Sequence, residues 1–159
     1  DVLSNIRTFN GTSWCQYSSD RGVSARLTGS CLCGQMRFTT PGPLRPVIAC
    51  HCSQCRKSSG HFVVATSTAR DKVAITGEVT WYQSSERARR GFCATCGSQM
   101  FWDGLGDNLS IFAGCFDGAT GATISGHIFC ADKGDYYEIT DGLAQADADD
   151  TALTAKFYS

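Results

Sequence analysis

A mainly β fold is what this sequence predicts, and three observations carry the prediction. From Val23 onward the chain is a series of short β-type runs, each closed by glycine or polar turn residues. The runs are strand-sized and closely spaced, as in an all-β or β-rich small domain. Only two stretches, 52–59 and 140–146, are mildly helical, and there is no heptad pattern, internal repeat or low-complexity block.

The expected strands fall at 23–29, 35–40, 46–49, 62–69, 72–76, 78–83, 87–92, 98–102, 108–113, 126–130 and 135–139. Prolines 41, 43 and 46 mark a loop ahead of the third run, because proline cannot donate to a ladder. Residues 1–22 show little periodicity and are expected to be an N-terminal extension. A domain at 23–145 follows, then a tail at 146–159. Four aspartates between Asp141 and Asp150 suggest a solvated end, with Phe157 and Tyr158 tucking back.

A chain of 159 residues fits one domain and can bury a core without disulfide staples. The formal net charge of -1 argues against a nucleic-acid footprint, which needs a basic face. No run approaches the ~18 apolar residues of a membrane span. The first 30 residues lack the apolar core of a secretory signal, so a cytoplasmic setting is expected. In that setting the sequons at Asn10 and Asn108 are chance matches.

Ten cysteines are dense, yet below the ~8–10% that marks a disulfide scaffold. Seven sit in three clusters: Cys31-x-Cys33, Cys50-x-Cys52-x-x-Cys55 and Cys93-x-x-Cys96. Cys15, Cys115 and Cys130 stand alone. Thiols kept reduced and clustered read first as metal ligands. Cys93-Ala-Thr-Cys96-Gly97 has zinc-knuckle form, the glycine permitting the positive φ that aims backbone N–H groups at thiolate sulfur. Cys31-Leu-Cys33-Gly34 is a tighter version. Together they supply four thiolates, a complete tetrahedral shell for structural Zn²⁺. The same counts also allow Cys31 and Cys33 to join Cys50 and Cys52.

Cys50, Cys52 and Cys55 remain as a trio, and three ligands with one vacant position characterise a zinc that does chemistry. His51, His61 or His127 could instead close the site, although a side chain between two ligands in C-x-C points away from the metal. A redox thiol trio is the third reading. Three thiolates make zinc a weak Lewis acid for water, but the ion can still deprotonate an incoming thiol. Two zinc ions per chain are expected, the open one being lost more readily. Arg56 and Lys57, next to the trio, could hold a substrate carboxylate or be ordinary surface charge. Alternation puts Arg87 and Arg89 on one strand face and Arg90 on the other, and the solvated-face reading is preferred.

The motifs Gly29-Ser-Cys31-Leu-Cys33-Gly34, Cys50-His-Cys52-Ser-Gln-Cys55-Arg-Lys57 and Gly91-Phe-Cys93-Ala-Thr-Cys96-Gly-Ser98 resemble those of the glutathione-dependent formaldehyde-activating enzyme family. Gly114-Cys-Phe-Asp117, His127 through Lys133 and Tyr136-Tyr-Glu-Ile139 continue the likeness, which spans about residues 24–140. The resemblance implies a small zinc-bearing fold of packed antiparallel sheets with short helical turns. It implies structural zinc on Cys31, Cys33, Cys93 and Cys96, and catalytic zinc on Cys50, Cys52 and Cys55. The activity implied is that of a carbon–sulfur lyase, S-(hydroxymethyl)glutathione synthase, joining glutathione to formaldehyde. A relative, centromere protein V, is associated with microtubules, so the alternative is a non-catalytic zinc module that binds a partner protein. Residues 1–22, with Trp14 and Cys15, are the candidate contact for a partner, for the chain's own core or for a second subunit of a homo-oligomer. Cys115 and Cys130 are expected to be small core residues rather than ligands.

Overall fold

The computed structural model describes residues 26–154. The extension at 1–22, with Trp14 and Cys15, and the aromatic pair Phe157 and Tyr158 lie outside the described residues. The strands are β1 (Leu27–Ser30), β2 (Arg37–Thr40), β3 (Val47–Cys50), β4 (Val63–Ala69), β5 (Ala74–Thr76), β6 (Thr80–Ser85), β7 (Ala88–Phe92), β8 (Gln99–Asp103), β9 (Asn108–Phe112), β10 (Ile124–Ile128) and β11 (Ala144–Gln145). Two short helices, α1 (Ser53–Ser59) and α2 (Thr151–Thr154), and three 3₁₀ turns complete the chain.

The strands form a three-stranded sheet, β1-β2-β5, and an eight-stranded sheet, β11-β10-β3-β4-β9-β8-β7-β6. The long sheet is antiparallel from β3 through β6 and centres on β4, whose Val-Val-Ala-Thr-Ser-Thr-Ala run is rich in β-branched residues. One core lies between the sheets. Met36 and Phe38 meet Met100, Phe101, Leu109 and Ile111, with Ile75, Val79 and Trp81 at its edge. The Phe38 ring stands edge-on to Phe101 and Phe116, with centroids 5.7 and 5.1 Å away.

The structure corrects the sequence reading in three places. Strand direction is mixed, because β10 pairs in parallel with both β3 and β11. An apolar run carries no mark of its direction, and a parallel partner is reached only by a long connection. Residues 135–139 are not a strand: Tyr136 and Tyr137 pack their rings on His61, and Lys133 Nζ donates to the Tyr137 carbonyl at 3.0 Å. Residues 140–146 are not a helix. Asp141 folds its carboxylate onto the Leu143 N–H (3.1 Å), Gly142 takes a φ of 75°, and the chain enters β11.

The aspartate-rich end is solvated, with Asp141, Asp147 and Asp149 exposed, and it closes on a short helix. Asp150 caps α2, its Oδ1 accepting from Ala152 N (2.8 Å) and Leu153 N (3.2 Å). That turn plants Leu153, 6% exposed, against Ile48 and Ile128. Among the described residues no helix is long and apolar enough to cross a membrane.

Candidate metal centres and the adjoining cavity

Every described cysteine is free of disulfide bonding, and seven of them gather at two points. The first joins the β1–β2 loop to the β7–β8 loop. The sulfurs of Cys31, Cys33, Cys93 and Cys96 lie within 4.8 Å of one another, with Cys33 Sγ 3.5 Å from Cys31 and 3.7 Å from Cys93. Gly34 and Gly97 have φ of 77° and 73°. These left-handed turns aim the next residues' N–H groups at sulfur, Gln35 toward Cys33 and Ser98 toward Cys96. Met36 N adds a bond to Cys31 Sγ at 3.2 Å. Leu32 N donates to Ser98 Oγ (3.0 Å), tying one loop to the other across 66 positions of sequence.

Sharing of protons among these thiols is uneven. Bonds from the Ser98 side chain and backbone bring Cys96 down to about 5. The Gln35 backbone lowers Cys33, but burial and the neighbouring sulfurs outweigh it and push that thiol up to about 12. A divalent cation would resolve the conflict by making all four thiolates. Four thiols with N–H donors to sulfur are a donor set that fits zinc.

The second group stands where β3 gives way to α1. Cys50 ends the strand, opposite Val63 of β4 and Ile128 of β10. Cys52 is the N-cap of α1, its sulfur accepting from Cys55 N at 3.4 Å, and Cys55 is buried in the first turn. The three sulfurs also lie within 4.8 Å of one another. Bonds from Cys50 and Cys55 hold the Cys52 thiol down to about 2, while bonds with Cys52 and Cys55, aided by burial, push Cys50 up. This set also fits a thiophilic cation, with three ligands rather than four. Among the described residues no histidine joins it.

The histidines have other partners. His51, fully buried, turns away from the trio; its Nδ1 meets the Tyr137 hydroxyl and its Nε2 meets His127 Nδ1 at 2.9 Å. His127 Nε2 reaches Asp141 Oδ2 at 2.8 Å. The carboxylate fixes the tautomers: His127 Nε2–H donates to Asp141, His51 Nε2–H donates to His127, and the Tyr137 hydroxyl donates to His51. Burial, with His127, His61 and Lys133 nearby, holds His51 down to about 4, so it stays neutral in this chain. His61 stacks on Phe62.

The trio borders a cavity of about 660 Å³, within the size range of small-molecule sites. Its walls include Ile48, Val63, Ala65, Phe112 and Ile128, and none of the other four cysteines lines it. Its buried cations are Arg45 and Arg90. Arg90 Nη2 reaches Gln54 Oε1 (3.3 Å) and Cys55 Sγ (3.8 Å), placing positive charge on the sulfur cluster. Arg56 and Lys57, the cations singled out from sequence, do not line this cavity. The solvated-face reading of the second basic cluster holds for Arg87, which is exposed, but not for its neighbours. Arg90 is 7% exposed, and Arg89 lies over Trp81 (4.2 Å) with its Nε 2.9 Å from the buried carboxylate of Asp103. Arg70 pairs with the same carboxylate.

Sequence reasoning missed Arg45, the histidine relay and Asp103. A lone arginine inside the apolar run Leu44–Ile48 was the available signal for Arg45. Cys115 and Cys130 stay out of both groups. Cys115 bonds the Gln99 carbonyl (3.3 Å) beside the main core, and Cys130 is half-buried.

A mainly β domain carries two separated thiol clusters that could each hold a metal ion, one of four sulfurs gathered by two loops and one of three facing a cavity. Residues 26–132 match the model of the family described as glutathione-dependent formaldehyde-activating enzyme, and the chain belongs to that family. It is 26% identical over 125 residues to a protein of Schizosaccharomyces pombe named an uncharacterized lyase, covering 77% of this chain and 91% of that one. It is 33% identical over 86 residues to a protein of Halomonas elongata provisionally named a glutathione-dependent formaldehyde-activating enzyme, covering 47% of this chain and 54% of that one. Tyr137, Asp141 and Leu153 lie beyond the residues that match the family model.

Proposed function

We propose that this chain is a zinc-dependent carbon–sulfur lyase that joins a thiol to an aldehyde, with glutathione and formaldehyde as the leading pair. One observation carries the reading: three sulfurs converge on the wall of a cavity, and among the described residues no fourth side chain closes the group. Cys31, Cys33, Cys93 and Cys96 would hold a structural zinc; Cys50, Cys52 and Cys55 would hold the catalytic one. Zinc at the trio would supply a Lewis acid that lowers the pKa of a thiol. The family to which the chain belongs and the lyase name of its relative support the reaction class.

The chain's own residues do the rest. Cys50 is fixed by the ladder and Cys52 and Cys55 by the first turn of α1, so the three cysteines that would hold the ion already line the cavity together. The Arg90 guanidinium on Cys55 offsets negative charge gathered on three thiolates and an incoming fourth. Ile48, Val63, Phe112 and Ile128 make an apolar wall against which an aldehyde meets the sulfur with little competing water. The reaction forms one carbon–sulfur bond, and the proton that leaves the thiol ends on the former carbonyl oxygen.

The test is NMR exchange between formaldehyde and glutathione with the zinc-loaded protein present. Exchange well above the spontaneous rate is expected, with Cys52→Ser abolishing the excess. A rate equal to the uncatalysed condensation removes the lyase assignment and leaves a zinc module that binds a partner.

A further inference from the structure

The cavity beside the trio contains two buried arginines that the protein leaves partly unsatisfied. Arg45 is 5% exposed. It gives Nη2 to the Ala65 carbonyl at 3.3 Å, while Nε and Nη1 are buried with no hydrogen-bond partner among the described residues. Arg90 Nη1 is in the same state. Buried guanidinium nitrogens without acceptors are costly, and both arginines line this one cavity. Three carboxylates, Asp107, Asp132 and Asp149, also line the cavity, but all three are exposed. Asp149 acts on Arg45 only through its charge, raising a proton affinity that burial lowers.

The two arginines stand at different distances from the sulfurs. Arg90 touches Cys55. Arg45 sits at the Ala65 carbonyl, and Ala65 is two residues along β4 from Val63, the partner of Cys50. Two residues of strand are about 7 Å. A thiol engaged at the trio meets Arg90 close to its sulfur and Arg45 some way along its length. A carboxylate is the group that completes an unpaired, buried guanidinium edge.

We propose that Arg45 anchors a carboxylate of the thiol substrate, so that the cavity selects acidic thiols whose carboxylate lies several bonds from sulfur over neutral thiols of the same size. This rests on the reading of the cavity as a thiol site, and the chemistry it names is that of an acidic peptide thiol. Binding energy gained at Arg45 then holds the sulfur in register with the trio.

The test separates the two claims. S-methylglutathione, which keeps both carboxylates but has no thiol, is titrated calorimetrically into the purified zinc-loaded chain beside its dimethyl ester. The acid is expected to bind at least about tenfold tighter than the ester, a charge-assisted hydrogen bond's worth. Arg45→Ala is expected to erase that ratio and Arg45→Lys to restore part of it. In cobalt-substituted protein, 2-mercaptoethanol should shift the metal absorption equally with and without Arg45. Equal binding of acid and ester to the unmodified protein, or no binding of either, overturns the anchor even if Arg45→Ala fails to fold. A loss of the 2-mercaptoethanol shift in folded Arg45→Ala also overturns it, because the residue is then structural. Absence of any thiol-induced cobalt shift defeats the thiol-site reading instead, whatever the acid-to-ester ratio.

Discussion

The two cysteine groups use the same chemistry and are built in opposite ways. The group of four is made by two loops far apart in sequence, each turned by a positive-φ glycine and each donating backbone N–H to its own sulfurs. It sits at one end of the main core, where Cys31 and Cys93 are buried with Phe38 and Phe101. The group of three is local in sequence, six positions from first to last, and rests on a strand end and a helix cap. Its open side faces a cavity and its outer charge comes from Arg90. In the proposed function a cross-link between distant segments would serve the fold, whereas a cluster presented by one stable corner would serve chemistry.

The contrast predicts unequal damage from equal substitutions. Cys93→Ser removes a ligand that joins β1–β2 to β7–β8, and apparent zinc binding in such sites, about 10 kcal/mol or more, rivals a whole domain's stability. The variant is expected to be largely unfolded by circular dichroism. Cys52→Ser is expected to fold, since serine is itself a good N-cap for α1, and to lose one metal per chain and the lyase activity. Equal loss of structure in the two would erase the distinction. A chelator wash sharpens it: the trio should release its metal first, leaving one zinc per chain, and simultaneous loss of both would contradict a four-ligand site beside a three-ligand one.

Asp103 gives the next largest effect and a pH window. It is fully buried, and although burial raises its pKa, Arg70, the Leu105 N–H and Arg89 overcome this and hold the carboxyl at about 2. A depressed acid contributes stability that is complete above its unfolded pKa of about 4 and is lost as pH falls toward 2. Asp103→Asn should cost about 2 kcal/mol at neutral pH, discounted because both arginines are about a third exposed. The cost should shrink as pH drops from 4 to 2, read as converging urea midpoints. A difference independent of pH would mean that the ion pairs add nothing beyond shape.

Much of this was legible in the sequence, and the rest fails for identifiable reasons. The cysteine spacings mark three local groups, because ligand spacing is a local property, while the pairing of Cys31 and Cys33 with Cys93 and Cys96 rather than with Cys50 and Cys52 is settled by the fold. Ten of the strands, β1 through β10, lie within a few residues of the runs that predict them, since β-branched clusters and turn glycines are local signals too. Strand direction is not local, so the parallel pairing of β10 with β3 was invisible. Neither was the fate of the charges. Arg90 alternates away from Arg87 and Arg89 as expected, but only the fold shows that its side faces a buried cavity. The cap on α2 was readable as Asp150 ahead of Thr-Ala-Leu, and the surrounding aspartates masked it.

The smallest effect tests the direction of the relay behind the trio. In the tautomers set by Asp141, the Tyr137 hydroxyl is the only donor to His51 Nδ1 among the described residues. Burial raises the Tyr137 pKa, so the phenol keeps the proton it gives. Tyr137→Phe leaves that buried nitrogen without a partner, at a cost of about 1 kcal/mol, while the ring contacts with His61 and Phe62 survive. For a domain of this size that is about 3 °C in the thermal midpoint. At the other end Asp141 is 42% exposed, and water can replace its oxygen when it is changed to Asn. Tyr137→Phe should therefore destabilise more than Asp141→Asn. Because His51 lies between Cys50 and Cys52, the same variant should speed metal loss from the trio and leave the four-cysteine group untouched. The reverse order of stability would mean that the donors run from Asp141's end, with a protonated carboxyl starting the chain.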